Sequence, residues 1–205
     1  NKKVEIFWSL NDEYPIYNEL LDIKKIIHIH PVSRWFFKCI SDDIMSQIID
    51  YCELDLGIKV IVTASPDKFE IQKINNILSK CSSKPINLSG KLSLKQVSAI
   101  NKKSQLFIGV DTSVMHISAS NNVPVLAFFG PSGADHWGPW DNNLLTSGYT
   151  QRSGMQRMGI HRVFSESRSC QPCGKDGCNG SKISDCLMNL DIIQIQNVVK
   201  EMLSE

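Results

Sequence analysis

The chain has 205 residues, of which 42% are hydrophobic and 21% charged, and its 22 basic and 21 acidic side chains give a formal net charge of +1. This composition indicates a globular protein with its own core and excludes a disordered, collagen-like or coiled-coil chain. The near-neutral charge argues against a dedicated nucleic-acid-binding protein or a polybasic membrane anchor, so an anionic ligand would have to be recognised locally.

Neither a membrane-spanning segment nor a signal peptide is predicted. The longest apolar run, around Val123 to Gly130, falls well short of the roughly 18 residues that cross a bilayer. The stretch from Val4 to Leu10 is too short and too polar for the apolar core of a signal peptide. We therefore expect a cytoplasmic protein. Because the first residue is Asn1 rather than Met, we also expect an upstream part of the polypeptide to be missing.

From Lys25 onward, short apolar runs alternate with amphipathic helical patterns, which is typical of a parallel sheet covered on both faces. Strands are predicted at residues 26–30, 58–64, 85–88, 106–110 and 124–129. Helices are predicted from Asp43 to Leu56, after the caps Asp67 and Ser93, from Val114 to Ser120 and from Asp191 to Leu203, with Asp42 and Asp43 capping the first and Gly57 ending it. The predicted fold class is α/β, a Rossmann-like doubly wound parallel sheet.

Two parts of the chain do not follow this alternation. Residues 134–169 contain several Gly and Trp residues and show little periodicity, so we expect irregular structure with one short strand near Arg162 to Phe164. Residues 1–24 fit no repeat of the pattern and are expected to form a connector, with an amphipathic piece near Ile16 to Ile23. The organised domain is thus predicted to span residues 25–205.

The loop after the fourth predicted strand is a candidate ligand site, because open parallel sheets bind ligands beyond the carboxyl ends of their strands. Asp111, Thr112 and Ser113 lead into a helix whose first turn presents free N–H groups, and these together with two hydroxyls suit a phosphate. His116 lies one turn further and could face the same anion. Taken alone, an ordinary N-cap and a packed helix histidine would explain the same residues.

The loops after the first two strands add further polar groups. Ser33, Arg34 and Lys38 lie among three aromatic side chains, and the two cations could neutralise phosphate oxygens. Solvated cations over buried aromatics would explain this loop equally well. Asp67, at the tip of the second strand, could accept hydrogen bonds from ribose hydroxyls or simply cap a helix.

Several catalytic motifs do not occur in the sequence. There is no Gly-x-Gly-x-x-Gly fingerprint and no P-loop, which argues against a dehydrogenase and a kinase. There is no Gly-x-Ser-x-Gly elbow, which argues against an α/β-hydrolase. Asp-x-Asp is also missing, so no carboxylate pair for a magnesium–diphosphate complex is evident.

The seven cysteines fall into two groups. Cys39, Cys52 and Cys81 lie singly in apolar segments and are predicted to be buried thiols. The other four have the spacing C-x2-C-x4-C-x7-C and are Cys170, Cys173, Cys178 and Cys186. Four thiolates at such intervals can hold a structural zinc ion, and reduced thiols in a loop explain the spacing equally well.

Four ordered stretches carry a resemblance to a known family. They are HPVSRWFFKC at residues 30–39, LSGKLSL at 88–94, FIGVDTSVMH at 107–116 and FFGPSG at 128–133. With CQPCGKDGC at 170–178, they resemble bacterial glycosyltransferase family 9, the lipopolysaccharide heptosyltransferases, and are most similar to its heptosyltransferase III type. The resemblance implies a GT-B fold of two Rossmann-like domains, with residues 25–205 as the C-terminal domain and residues 1–24 as a connector or the end of a missing N-terminal domain.

The resemblance also implies a reaction and a set of site residues. The family transfers heptose from ADP-heptose to the lipopolysaccharide inner core, with inversion and without a metal or other cofactor. The roles carried over are Lys38 for holding the diphosphate and stabilising it as it leaves, Ser33 and Arg34 in the same loop, Asp67 for the ribose, Leu92 beside the adenine, and Asp111, Thr112, Ser113 and His116 for the diphosphate-binding turn.

No segment of this chain matches the part of the family that carries its general base, an aspartate in the N-terminal domain. We therefore expect the chain to bind donor without transferring sugar unaided, the acceptor being contacted through the missing domain at the inner face of the cytoplasmic membrane. Two alternatives stay open. One is a non-catalytic nucleotide-binding or assembly module, and the other is a zinc-dependent interaction module built on residues 170–186.

Overall fold

The computed structural model of the chain describes residues 3–13, 20 and 23–205. Within these residues seven strands form one sheet, in the order β3-β2-β1-β4-β5-β7-β6. The strands are β1 (Ile26–His30), β2 (Lys59–Val62), β3 (Ile86–Asn87), β4 (Leu106–Val110), β5 (Val125–Phe128), β6 (Gln156–Met158) and β7 (His161–Phe164). The pairs are parallel except for the antiparallel pair of β6 and β7.

The helices connect successive strands. They are α1 (Asp42–Asp50), which continues as a π-helical turn (Tyr51–Asp55), α2 (Lys68–Leu78), α3 (Leu94–Lys102), α4 (Ser113–Ser120), α5 (Ala134–Trp137) and α6 (Ile192–Ser204). Short 3-10 turns lie at Phe36–Lys38, Cys178–Gly180 and Asp185–Leu187. No helix in the described ranges is long and apolar enough to cross a membrane.

Alternate residues of each central strand face opposite layers of helices. Ile27 and Ile29 of β1 belong to the core cluster that α1, α2 and α6 complete. Phe107 of β4 and Val125 of β5 belong to the cluster formed with α4 on the other face. The sheet is therefore covered on both sides, which confirms the predicted doubly wound α/β class.

The predicted caps are correct for two helices and wrong for one. Asp67 accepts hydrogen bonds from backbone N–H groups at the start of α2, and Ser93 forms a capping box with Gln96 at the start of α3. The cap of α1 is Ser41, whose side chain accepts from the N–H of Ile44, so the predicted caps Asp42 and Asp43 lie in the first turn instead. There they still favour the helix through its dipole.

Residues 134–169 contain more regular structure than predicted. The strand expected near Arg162 to Phe164 is present as β7, and it pairs with β6, which the sequence did not indicate. A short helix, α5, also lies in this region. Most of the amphipathic piece expected near Ile16 to Ile23 lies outside the described residues, although Leu20 is buried in one cluster with Ile26.

Candidate functional site

A cavity of about 640 Å³ opens at the point where the strand order of the sheet reverses. The chain runs from β1 outward to β3 and then returns to β4 on the other side of β1, so this point lies between β1 and β4. Doubly wound sheets bind their ligands at such a switch point. The lining comes from the end of β1, the loops after β1 to β4, the first turns of α2, α3 and α4, and the end of α5. These residues are His30, Ser33, Arg34, Trp35, Lys38, Ala64, Ser65, Pro66, Glu70, Leu92, Leu94, Val97, Asp111, Thr112, Ser113, Val114, His116 and Trp137.

Of the predicted site residues, the cavity gathers all but Asp67. Asp67 is exposed, and its Oδ1 accepts from the N–H groups of Phe69 at 2.8 Å and Glu70 at 3.2 Å. The acid that lines the cavity is Glu70, which is buried and accepts the N–H of Ser65 through Oε2 at 3.0 Å. Its Oε1 accepts no hydrogen bond from the described residues and is available to a ligand hydroxyl.

Glu70 was not singled out from the sequence, although its position carried a signal. It is the third residue of α2, the position whose carboxylate usually turns back to the N–H of the capping residue. Here the carboxylate bonds to the N–H of Ser65 instead, in the loop that ends β2. Because of this contact, the carboxylate of Glu70 lies at the cavity. The sequence pattern alone does not distinguish this orientation from the usual capping one.

The start of α4 presents an anion-binding arrangement. Thr112 is the N-cap residue, yet its side chain does not cap the helix, and its buried Oγ1 has no hydrogen-bond partner in the described part of the chain. The first turn of α4 contains no acidic residue. The N-terminus of α4 therefore faces the cavity with its free amide groups and the positive end of the helix dipole. The hydroxyls of Thr112 and Ser113 lie beside it, and together these groups favour an anion.

Lys38 places a cation beside this helix start. Its Nζ lies 2.6 Å from Oδ2 of Asp111, and the two side chains are 23% and 6% exposed. The pair joins the loop after β1 to the loop after β4. Because a carboxylate repels a phosphate, this contact favours a positioning role for Asp111. The diphosphate-binding role that the resemblance implies for Asp111 stays a prediction.

His116 is half-buried next to this ion pair. Burial lowers the pKa of its imidazole, while nearby Asp111 raises it and Lys38 lowers it. The burial effect is the largest, so the ring is neutral near pH 7. It can therefore donate or accept a hydrogen bond at the edge of the anion site without adding charge.

The first loop also contributes a hydroxyl and a second cation to the cavity. Ser33 is buried, and its Oγ accepts the N–H of Trp35 at 3.2 Å. Arg34 is exposed, and its guanidinium carbon lies 5.7 Å from the centroid of the Trp35 ring. That contact holds the guanidinium at the rim of the cavity, within reach of solvent.

Apolar side chains form another part of the cavity lining. Leu92, Leu94 and Val97 come from the start of α3 and the residues before it, and Pro66 comes from the loop after β2. Gly90, at φ +73°, makes the turn that brings these parts together, and a Cβ on it would lie 3.0 Å from Cδ1 of Ile71. The wall is suited to a flat apolar group such as a nucleobase.

His30 contributes an uncharged polar group from the end of β1. Asn101 Nδ2 lies 3.2 Å from Nδ1 of His28, His28 Nε2 lies 2.7 Å from Oγ1 of Thr63, and Oγ1 lies 2.9 Å from Nδ1 of His30. The amide of Asn101 donates to Nδ1 of His28, so His28 donates through Nε2 to the hydroxyl of Thr63. That hydroxyl then donates to Nδ1 of His30, which leaves the proton of the His30 ring on Nε2. Burial lowers the pKa of His30 to about 4, so the ring stays neutral and offers a donor at Nε2.

The cysteine predictions have different outcomes. Cys39 and Cys52 are buried, as expected, whereas Cys81 is only partly buried where it packs against the core. The zinc site is not supported, because the described residues contain no group of three or more His, Cys, Asp or Glu side chains that could hold a metal ion. Cys170 and Cys173 are exposed, whereas Cys186 is buried.

The chain is similar to proteins of one known family. The family model described as glycosyltransferase family 9 (heptosyltransferase) matches residues 10–166. Lipopolysaccharide heptosyltransferase 3 of Escherichia coli is 36% identical over 118 residues, which cover 57% of this chain and 34% of that protein. The chain thus spans about a third of the length of this curated relative.

Two solved structures share the fold. A glycosyl transferase family 9 protein from Veillonella parvula has a TM-score of 0.74 at 19% identity, over 100% of this chain and 55% of that chain. The ADP-heptose lipopolysaccharide heptosyltransferase II of E. coli has a TM-score of 0.71 at 16% identity, over 98% of this chain and 53% of that chain. Since the family model covers most of the sequence, the chain belongs to glycosyltransferase family 9, the heptosyltransferases.

Proposed function

We propose that this chain is the donor-binding half of a heptosyltransferase that transfers heptose from ADP-heptose to the lipopolysaccharide inner core, with residues 25–205 as the nucleotide-sugar-binding domain of a GT-B enzyme. The observation that carries the proposal is the cavity at the switch point. It combines the partly buried ammonium of Lys38, the uncapped N-terminus of α4 and an apolar wall. Membership of the family and the ADP-heptose enzyme of the same fold support the identity of the donor.

The cavity can accommodate each part of a nucleoside diphosphate. The diphosphate would lie between Lys38 and the first turn of α4, where Thr112 Oγ1 gains the partner it otherwise lacks. The adenine would pack on Leu92 and the neighbouring apolar side chains. A ribose hydroxyl would donate to Oε1 of Glu70, in the role that the family resemblance assigned to Asp67.

In the proposed reaction the acceptor hydroxyl attacks the anomeric carbon of heptose from the face opposite the diphosphate. The bond from that carbon to the phosphate oxygen breaks, and its electron pair leaves with ADP. Lys38 and the amide groups of α4 would stabilise the charge that grows on the departing phosphate, with no metal required. The hydroxyl proton would pass to the aspartate base of the N-terminal domain, so we propose that this chain by itself binds donor without turnover.

Isothermal titration calorimetry of the chain with ADP, UDP and GDP tests this function. We expect ADP to bind more tightly than the other two nucleotides. Lys38→Ala should weaken ADP binding at least about tenfold, because it removes a charge-assisted hydrogen bond to phosphate. Lys200→Ala, at an exposed position of α6, is the matched control and should leave the affinity unchanged. Failure of the unaltered chain to bind any nucleotide would contradict the proposal.

The partners of the complete enzyme follow from the same proposal. The lipopolysaccharide core would be bound mainly by the N-terminal domain, and work at the inner face of the cytoplasmic membrane would require only a transient surface contact. Addition of an N-terminal family 9 domain should restore transfer to a heptose-bearing core oligosaccharide. Turnover by the 205-residue chain alone would show that the base lies within it.

A further inference from the structure

A buried hydrogen-bond network crosses the molecule and ends at the wall of the candidate site. It begins between α3 and α4, passes across β1 to the end of β2, and consists of Asn121, Asn101, His28, Thr63 and His30. Asn101, His28 and Thr63 are each at most 1% exposed, and His30 lines the cavity. A fully paired polar network adds little net stability over apolar packing, yet it fixes one arrangement of its members. The network therefore fixes the orientation of the His30 ring.

Backbone carbonyl groups set the direction of the hydrogen bonds at the buried end of the network. Asn121 Nδ2 donates to the carbonyl oxygen of Ser98 at 3.0 Å and to Oδ1 of Asn101 at 3.1 Å. The hydroxyl of Ser118 donates to the carbonyl oxygen of Val114 at 2.9 Å, so it accepts from Nδ2 of Asn101 at 2.7 Å. Because a carbonyl oxygen can only accept, both contacts assign the side-chain oxygen of Asn101 as an acceptor and its nitrogen as a donor.

This direction continues through His28 and Thr63 to the cavity. Since Nδ1 of His28 accepts from Asn101, the single proton of that neutral ring lies on Nε2 and is donated to Oγ1 of Thr63. The Thr63 hydroxyl then donates to Nδ1 of His30. Burial lowers the pKa of both imidazoles, so each ring carries one proton near pH 7. The proton of His30 is thus held on Nε2.

His30 presents this donor on the side of the sheet where α4 begins. It pairs in register with Gly109, two residues before Asp111 in the loop that leads into α4. His28 packs edge-on against Phe107, with 5.1 Å between ring centroids, and Phe107 belongs to the core cluster that includes α4. Because alternate residues of a strand share a face, the ring of His30 lies on that face as well. Its Nε2 makes no hydrogen bond within the part of the chain that the structure describes.

We propose that His30 is a further nucleotide-binding residue, whose Nε2–H donates to a phosphate oxygen. Thr63, His28 and Asn101 are the positioning residues that fix its tautomer and ring orientation. The assignment rests on the proposed function, because the acceptor is the diphosphate at the start of α4. An imidazole without this support would present a lone pair to the phosphate for part of the time, whereas the held ring always presents a proton.

Isothermal titration calorimetry of the full chain with ADP tests the contact and its support. His30→Phe should weaken ADP binding about tenfold, because it removes a hydrogen bond to a charged group. Thr63→Val should weaken it at least about threefold, whereas Thr63→Ser retains the hydroxyl and should retain the affinity. In a chain that carries His30→Phe, Thr63→Val should cause no further loss of affinity, because Thr63 acts through His30.

Ser104→Ala is the matched control for the loss of a buried hydroxyl. The Oγ of Ser104 donates to the carbonyl oxygen of Ile100 at 3.2 Å, outside the network and the cavity. This variant should leave the ADP affinity unchanged. Thermal unfolding of each variant checks that the chain is folded.

NMR of the histidine side chains supplies a measurement that a purely structural role would not affect. Two-dimensional spectra of isotope-labelled protein distinguish protonated from unprotonated ring nitrogens, and the loss of signals in His30→Phe identifies those of His30. We expect the proton of both His28 and His30 on Nε2. ADP should shift the Nε2 signal of His30, and Thr63→Val should shift its Nδ1 signal, whereas Ser104→Ala should shift neither.

Three results would overturn this assignment while the ADP site stands. A proton on Nδ1 of His30 would reverse the direction of the network and leave an acceptor at the cavity. Unchanged ADP affinity in His30→Phe would remove the contact. Equal losses from Thr63→Val with and without His30 would make Thr63 a structural residue. Absence of ADP binding by the unaltered chain would instead overturn the proposed function, and this contact with it.

Discussion

The Nζ of Lys38 lies 2.6 Å from Oδ2 of Asp111, across the switch point of the sheet. The two residues are 73 positions apart in the chain, and Asp111 is almost fully buried. The pair therefore connects the loops after β1 and β4 and holds the cation of the candidate site in place. Its removal should affect stability as well as ligand binding.

A double-mutant cycle measures this coupling. Lys38→Met and Asp111→Asn should each lower the free energy of unfolding in urea by about 1–3 kcal/mol, because each leaves a desolvated partner behind. The double variant should lose at least about 1 kcal/mol less than the sum of the single variants. The exposed pair Lys182–Asp176 is the control, with an expected coupling below about 0.5 kcal/mol. Additive losses at Lys38 and Asp111 would contradict the positioning role.

Glu70 and Asp67 should separate ligand binding from helix capping. Glu70→Gln should weaken ADP binding about fivefold and reduce the preference for ADP over an analogue without ribose hydroxyls, because an amide oxygen is a weaker acceptor than a carboxylate. Asp67→Ala should leave ADP affinity unchanged and lower the free energy of unfolding by about 1 kcal/mol through loss of the cap. If ADP affinity responds to Asp67→Ala and not to Glu70→Gln, the ribose role returns to Asp67.

Acid should destabilise the fold through its buried histidines. Burial lowers the pKa of His28 to about 3, of His30 to about 4 and of His161 to about 4. Below a pH of about 6.5, the pKa of histidine in the unfolded chain, the unfolded chain binds protons that the folded chain excludes. The free energy of unfolding therefore decreases as the pH is lowered, by up to about 1.4 kcal/mol per pH unit for each histidine. The loss should develop from about pH 6.5 down toward the folded pKa values.

Urea unfolding curves between pH 8 and pH 4.5 measure this dependence. The free energy of unfolding should be nearly constant above pH 7 and fall progressively below pH 6.5. His161→Gln should reduce the slope, because it removes one of the titrating groups. A flat profile across this range would show that folding does not lower the pKa values of these imidazoles.

The thiols should differ sharply in reactivity. Burial raises the pKa of Cys39 to about 11, of Cys52 to about 12 and of Cys186 to about 11, whereas Cys170 and Cys173 are exposed. A thiol reagent at pH 8 should therefore label the exposed pair rapidly and the three others only after unfolding. Mass spectrometry of digested protein identifies the labelled sites. A chelator should leave both labelling and melting temperature unchanged, and protection of Cys170 that a chelator abolishes would restore the metal hypothesis.

Much of the sheet was predictable because the central strands are buried on both faces and so consist of continuous apolar runs. β1, β4 and β5 lie where such runs end in Pro, Asp or Gly. The weak pattern at residues 85–88 corresponds to an edge strand of two residues, Ile86–Asn87. β6 has only three residues and was missed, because its pairing with β7 rather than its own composition makes it a strand.

The α/β class, the loops that meet at the ligand edge and the residue types suited to a diphosphate could be predicted from the sequence, because they follow from local hydrophobic periodicity and motif chemistry. Three features became evident in the three-dimensional structure: Asp111 pairs with Lys38, Glu70 rather than Asp67 lines the first cavity, and residues 172–176 line a second cavity. Those outcomes depend on contacts between segments far apart in the chain and on the direction of single side chains. Neither is encoded in the spacing of residue types along one segment.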